Sequence, residues 1–220
     1  MVGRERGFRR ANLAVLVALA LAPYLTRADD RESASSSSAG ASWDVGASVL
    51  LYVLREEPNY FQPTVTVDHG MLHLEARYNY EARETASAWL GANFSFGDDL
   101  KLGLVPMVGG VFGQTRGIAT GLTITLDWGP LALWSQSEYV FDLADSSNDY
   151  FYVWSEISVT GPEWLRVGLV LQRTRVFQTA TELQGGPLAG VSFWKLSGTV
   201  YFFSPGQDDQ FVVVALAGTF

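Results

Sequence analysis

The sequence predicts an all-β chain closed into a transmembrane, antiparallel, up-and-down barrel of twelve strands, with ten as the fallback. Three observations predict it. The chain is 48% hydrophobic and 13% aromatic but only 17% charged, yet outside its N-terminus it has no apolar run long enough for a membrane helix. A closed barrel is the remaining way to satisfy every backbone group in lipid. From Trp43 onward the chain is a succession of runs of about ten residues with two-residue periodicity, the length and pattern of membrane-crossing strands. The connections between runs alternate between tight and longer, as periplasmic turns and extracellular loops do in such barrels.

Residues 1–28 read as an export signal. Arg4, Arg6, Arg9 and Arg10 precede the apolar run Leu13–Ala22, and Thr26-Arg27-Ala28 offers a small-x-Ala cleavage site. Residues 29–42 are polar and Ser-rich, with nothing to bury, and read as a disordered periplasmic lead-in. The barrel is expected over 43–220. The chain lacks Cys, which excludes disulfides, thiol chemistry and a lipoprotein anchor. Without residues 1–28, which carry five Arg and one Glu, it keeps 10 basic against 22 acidic residues, a net charge of −12. That balance argues against a nucleic-acid partner.

The strands are expected near 43–54, 60–68, 71–82, 86–96, 100–112, 115–128, 131–141, 150–160, 164–176, 186–195, 196–204 and 210–220. Ten strands remain if 60–68 or 196–204 fails. Tight turns fall at Asp68-His69-Gly70, Gly97-Asp98-Asp99, Gly129-Pro130, Gly161-Pro162-Glu163 and Lys195-Leu196, where Gly, Asp and Pro supply hairpin dihedrals. Both termini are then periplasmic. On that assignment Trp43, Phe96, Trp128, Trp164, Trp194 and Phe220 lie at periplasmic strand ends. Tyr52, Tyr60, Phe61, Tyr78, Tyr80, Phe112, Tyr139, Phe141, Tyr150, Phe177, Phe202, Phe203 and Phe211 lie near outer ends, so two interfacial girdles are expected.

The last run, Gln210–Phe220, alternates apolar residues and stops on Phe220. An exposed apolar edge ending so would invite aggregation in water, whereas lipid tolerates it. This ending resembles the C-terminal strand of Gram-negative outer-membrane β-barrel proteins, whose terminal Phe is read by the barrel-assembly machinery. The resemblance implies the outer membrane, Phe220 as the assembly signal, and that machinery as a partner.

Strand phase assigns faces, because successive residues point to opposite sides. In the third run Leu72, Leu74, Ala76, Tyr78 and Tyr80 face lipid, while His73, Glu75, Arg77, Asn79 and Glu81 face the lumen. Gln62 and Asn93 flank this patch, and Glu138 and Glu156 add a second acidic one. Twelve strands lie between barrels filled by side chains and those holding an aqueous channel. Small inward residues, among them Gly91, Gly103, Gly109 and Gly121, leave room, whereas Trp89, Trp134, Tyr152 and Trp154 consume it. A narrow polar lumen is expected, with the charged patch as either constriction or plug.

The leading expectation is passive, porin-like passage of a small polar solute. The alternative is a closed structural barrel that binds lipopolysaccharide or a periplasmic partner. Outer-membrane lipid surrounds either one. Arg116, Arg173 and Arg175 lie near the outer rim and suit lipopolysaccharide phosphates. Arg173 and Arg175 continue a lipid face unless a bulge turns them inward. An outer-leaflet lipid hydrolase is the weakest alternative, because neither His69 nor His73 has a Ser two residues away. No catalytic residue, cofactor or metal is expected; the glycines of 109–121 lack the Lys-Ser/Thr of a phosphate loop. The Asp142, Asp145 and Asp149 cluster reads as a solvated loop, or weakly as a divalent-cation site.

Overall fold

A computed structural model describes residues 42–176 and 182–220. The expected export segment and all of the lead-in except Ser42 lie outside the described residues, as does Phe177. The strands are β1 (Trp43–Val53), β2 (Tyr60–His69), β3 (Leu72–Tyr78), β4 (Thr85–Ala92), β5 (Phe94–Phe96), β6 (Leu100–Gly113), β7 (Gly117–Trp128), β8 (Leu131–Asp142), β9 (Tyr150–Thr160), β10 (Leu165–Val176), β11 (Glu182–Phe193), β12 (Leu196–Phe203) and β13 (Phe211–Thr219). β4 and β5 are two pieces of one crossing, broken at Asn93, so the described residues form twelve crossings. Both short runs whose loss would have left ten strands, 60–68 and 196–204, are strands.

Every neighbour pair is antiparallel, and β1 pairs with β13, so the sheet closes and leaves no free edge. Phe220 sits on that seam: its N–H donates to Val45 O at 2.8 Å and its carbonyl accepts from Val45 N–H at 3.3 Å. The tight turns share one end with Trp43 and Phe220. At Gly97 φ is +82°, and a Cβ there would strike the Leu100 carbonyl, so this turn requires glycine.

The exterior is apolar. Leu90, Val108, Ile118, Val167, Leu169 and Leu216 are each about half exposed, as lipid-facing side chains are. Trp43, Phe96, Trp128, Trp164, Trp194 and Phe220 are exposed at the turn end and form the periplasmic girdle.

The outer aromatic band departs from expectation. Phe61, Tyr78, Phe112, Phe141 and Phe202 point outward, but Tyr52, Tyr60, Tyr80, Tyr150, Phe203 and Phe211 are buried inside. Within the strands the two sets differ in parity, not in height, while Tyr80 shares the parity of Tyr78 and is brought inside by the turn after β3; a band sorted only by strand end mixes girdle with lumen filling. Inside, Tyr52 stacks on Tyr60 at 4.7 Å and Phe203 on Phe211 at 4.7 Å, while Trp154 meets Tyr201 and Phe203 edge-on.

The small inward residues are also used differently from what was expected. Gly109 and Gly121 do not leave an open lumen. A Cβ on Gly109 would lie 2.5 Å from the Trp89 indole, and one on Gly121 would press on Met107 and Trp89. The glycines are the seat for an indole that crosses over them. Gly109→Leu is therefore expected to lower the denaturant midpoint of the folded barrel, since overpacking costs about 1–3 kcal/mol; an unchanged midpoint in urea unfolding would contradict that packing.

Candidate functional site in the lumen

The site is built on β3, β4 and β8. His73, Glu75 and Arg77 share the inward face of β3, and β3 pairs with β4 so that Arg77 opposes Ser87 and Glu75 opposes Trp89. β3 ends at Tyr78, four residues earlier than expected. Asn79 then takes φ +58°, its side chain accepting from Glu84 N–H and donating to Phe61 O, each at 2.8 Å. Asn is among the residues that tolerate this left-handed region. The turn breaks the alternation, with two consequences. Asn79 closes a loop and does not line the lumen, and Tyr80, assigned by phase to lipid, is fully buried inside alongside Glu81.

Arg77 is the centre of the site. Its Nε and Nη2 donate to the two Glu75 carboxylate oxygens at 2.6 and 3.1 Å, a forked contact. Its Nη1 donates to Glu138 Oε2 at 3.0 Å and lies 3.7 Å from Glu81 Oε1. Glu138 comes from β8, so this pair reaches across the lumen past β4, β6 and β7. The guanidinium also lies 3.9 Å from the Tyr80 ring centre and 4.4 Å from that of Trp89. Tyr80 OH, in the turn after β3, donates to Gln136 Oε1, a second tie to β8.

The polar chain continues in both directions. Toward the turns, His73 Nε2 lies 3.4 Å from Glu75 and its Nδ1 2.8 Å from Asp68, which accepts from Asn93 Nδ2 at 2.6 Å. Asn93 thus sits at the β4–β5 break and ends the chain. Toward the loops, Ser87 Oγ donates to Glu81 and accepts from Trp89 Nε1, while Tyr150 OH donates to Glu81 O at 3.0 Å. Gln62, fully buried, donates to Asn79 O at 2.9 Å. Glu81 Oε2 and Glu138 Oε1 are buried and lack a hydrogen-bond donor among the described residues.

Glu156 belongs to a separate cluster. It accepts from Trp154 Nε1 at 3.0 Å and from Arg166 Nη1 at 2.9 Å, and Arg166 also reaches Thr199 and Tyr201. Arg166 was not singled out in the sequence. The signal was present: it alternates with Leu165 and Val167 on the same strand, and so points inward.

The remaining candidates lie elsewhere. Arg116 is exposed in the β6–β7 connection, and Arg173 is exposed on β10. β10 keeps its register with β9 from Arg166 to Val176, so no bulge turns Arg173 inward. The Arg175 side chain lies outside the described residues. The Asp cluster of the β8–β9 loop is engaged with its own backbone. Asp142 accepts from Ala144 and Asp145 N–H, Asp145 from Ser147 N–H, and Asp149 from Asp142 N–H. The Ser147 N–H holds the Asp145 carboxyl below its usual range. These carboxylates cap a turn, which is the physical reason for their spacing.

A hydrolase pair is not assembled around His73. Both ring nitrogens face carboxylates. In the β3–β4 register His73 opposes Gly91 and Arg77 opposes Ser87, which puts Ser87 four residues, about 13 Å, along the strand from His73.

No protein-family model matches the sequence, and no curated protein matches it. Among solved structures, it aligns with the KdgM porin at a TM-score of 0.54 and 9% identity, over 80% of this chain and 99% of that one. The KdgM porin in complex with disordered oligogalacturonate aligns with a TM-score of 0.55 at 9% identity, over the same shares. The fold is that of an outer-membrane porin. Acinetobacter baumannii Omp33 is also similar, with a TM-score of 0.47 and 11% identity over 82% of this chain and 99% of that one. The closed, apolar-faced barrel places the chain in the outer membrane of a Gram-negative bacterium.

Proposed function

We propose that this porin-like barrel is a narrow channel, closed at rest by its own lumen side chains, that passes small cationic or neutral polar solutes. The observation that carries this reading is the Arg77 cluster, which joins two walls of the lumen through ion pairs. A plug that served structure alone would lose nothing by being apolar, since buried ion pairs are often neutral or worse for stability than hydrophobic replacements. Ionisable groups held inside a membrane protein are pointers to solute and ion paths. Arg77 has three alternative carboxylates, Glu75, Glu81 and Glu138. It can release Glu138 and remain paired with Glu75 on β3, leaving the Tyr80–Gln136 contact as the remaining tie to the opposite wall.

Charge sets the solute class. Asp68, Glu75, Glu81, Glu138 and Glu156 face two guanidiniums, Arg77 and Arg166, with His73 adding a proton-dependent charge. The outer mouth holds a cavity of about 450 Å³ whose lining includes Glu56, Glu57, Glu182, Asp208 and Asp209, with Arg55 as its basic member. An acidic lumen attracts cations and repels anions. It is a poor route for a carboxylated chain such as the oligogalacturonate bound by the KdgM porin.

The test is the reversal potential of barrels in a planar bilayer under a KCl gradient. Cation preference is expected, and Glu138→Gln together with Glu156→Gln is expected to reduce it. Anion preference in the unaltered barrel would overturn the assignment. A second reading, a closed structural barrel, is favoured by the packing of Tyr52, Tyr152, Trp154, Tyr201 and Phe203, which are fully buried within the lumen.

A further inference from the structure

Within the lumen, we propose a subsite for the primary ammonium group of an organic amine, formed by Glu138 and Glu81 and occupied at rest by Nη1 of Arg77. It deepens the cation-channel reading and rests on it only for the route by which solute reaches the lumen. The position of Nη1 is the first observation. That nitrogen donates to Glu138 Oε2 at 3.0 Å and lies 3.7 Å from Glu81 Oε1. Two carboxylates, one from β8 and one from the turn after β3, thus gather about a single cationic donor. Arg77 depends on neither for a partner, because its Nε and Nη2 already hold both oxygens of Glu75. The fork to Glu75 keeps the charge of Arg77 paired when another cation takes the Nη1 position.

The acceptors also outnumber what Arg77 gives them. Glu81 is 0% and Glu138 2% exposed, yet Glu81 Oε2 and Glu138 Oε1 have no hydrogen-bond donor among the described residues. A buried charged acceptor left without a donor is costly. An ammonium carries three N–H donors on one atom. At the Nη1 position it serves both carboxylates and has a donor to spare for an oxygen that the flat guanidinium leaves unmet. A metal ion fits less well. Among the described residues no group of three His, Asp or Glu is placed to hold one, and the surroundings are largely rings. The Arg77 guanidinium lies 3.9 Å from the Tyr80 ring centre and 4.4 Å from that of Trp89, and Tyr152 pairs with Glu138 across β8 and β9. Aromatic faces attract organic cations. Binding has a mechanical consequence: an amine that replaces Nη1 on Glu138 breaks the ion pair between β3 and β8, so the solute loosens the plug that it must pass.

Isothermal titration calorimetry of the folded barrel in detergent micelles, with propylammonium chloride as the probe, tests this directly. Wild type is expected to bind it. Tetramethylammonium, which has the charge but no N–H, is expected to bind about tenfold more weakly or worse. Glu138→Gln removes a charge-assisted contact and is expected to weaken propylammonium about tenfold or more. Asp99→Asn, the same loss of charge in an exposed turn at the periplasmic end, is expected to leave it unchanged. Arg77→Ala removes the resident competitor, so propylammonium should bind it about tenfold more tightly than it binds wild type. A failure of wild type to bind would overturn the proposal, whatever Arg77→Ala does. So would equal affinity for the two cations, or unchanged affinity in Glu138→Gln. Heat-modifiable migration confirms that each variant is folded, and the comparison of the two cations on wild type requires no variant. Calorimetry requires no ion flow. Cation-selective conductance without propylammonium binding would remove the subsite alone, whereas binding by an electrically silent barrel would remove the channel reading and leave the subsite.

Discussion

Replacing Arg77 with alanine is expected to produce the largest single change in this barrel, in stability and in conductance together. The guanidinium is 3% exposed as a residue and pairs with Glu75, Glu81 and Glu138, all inside the lumen. Its removal leaves three carboxylates without their shared cation, and breaking a buried pair by deleting one partner costs about 3–5 kcal/mol. The urea midpoint of unfolding from vesicles should fall accordingly. The same deletion removes the Glu138 tie between β3 and β8 and draws water toward the uncompensated carboxylates. Longer and more frequent openings are therefore expected in a planar bilayer, with stronger cation preference. Arg77→Lys should recover part of the stability but not the forked Glu75 contact, because an ammonium is a point charge without the planar fork. A variant as stable as wild type, with unchanged gating, would show that the ion pairs do not hold the lumen closed.

Replacing Trp89 with alanine is expected to have the second largest effect, by a different route. The indole fills the space over Gly109 and Gly121, stacks on the Arg77 guanidinium and donates to Ser87 Oγ at 2.9 Å. Emptying a buried Trp site costs about 3–5 kcal/mol when the surroundings cannot collapse. Here they cannot, because the opposing positions are glycines on hydrogen-bonded strands. The void joins the polar face of β4 and becomes part of the water path. Single-channel conductance, not only open probability, should rise. The two variants thus separate gate from bore: Arg77→Ala lengthens openings, and Trp89→Ala enlarges them. Equal unit conductance in wild type and Trp89→Ala would place the narrowest point elsewhere.

The fold was legible because a barrel writes its period directly into the chain. Leu72 to Tyr78 alternate without error, and the Gly, Asp and Pro turns mark one end. Legibility failed where one residue shifts the phase. Asn79, in the left-handed region, turns both Tyr80 and Glu81 inward, and neither composition nor spacing signals that step. Contacts across the lumen were likewise hidden. Glu138 and Arg77 are 61 residues apart and meet only because the sheet closes with β3 and β8 at that angle. The inward glycines suggested vacancy, since a sequence lists what each position contributes but not what a neighbouring strand lays over it. Trp89 over Gly109 is that case. Arg166, by contrast, could have been found from the phase of β10 alone.

The most direct measurement is single-channel recording of the wild-type barrel and Arg77→Ala in the same planar bilayer, each folded as judged by heat-modifiable migration. The account predicts brief, small, cation-selective openings in wild type, lengthened by the substitution. Silence from both folded proteins across the voltage range would contradict it, and would identify a barrel whose lumen serves as a packed core.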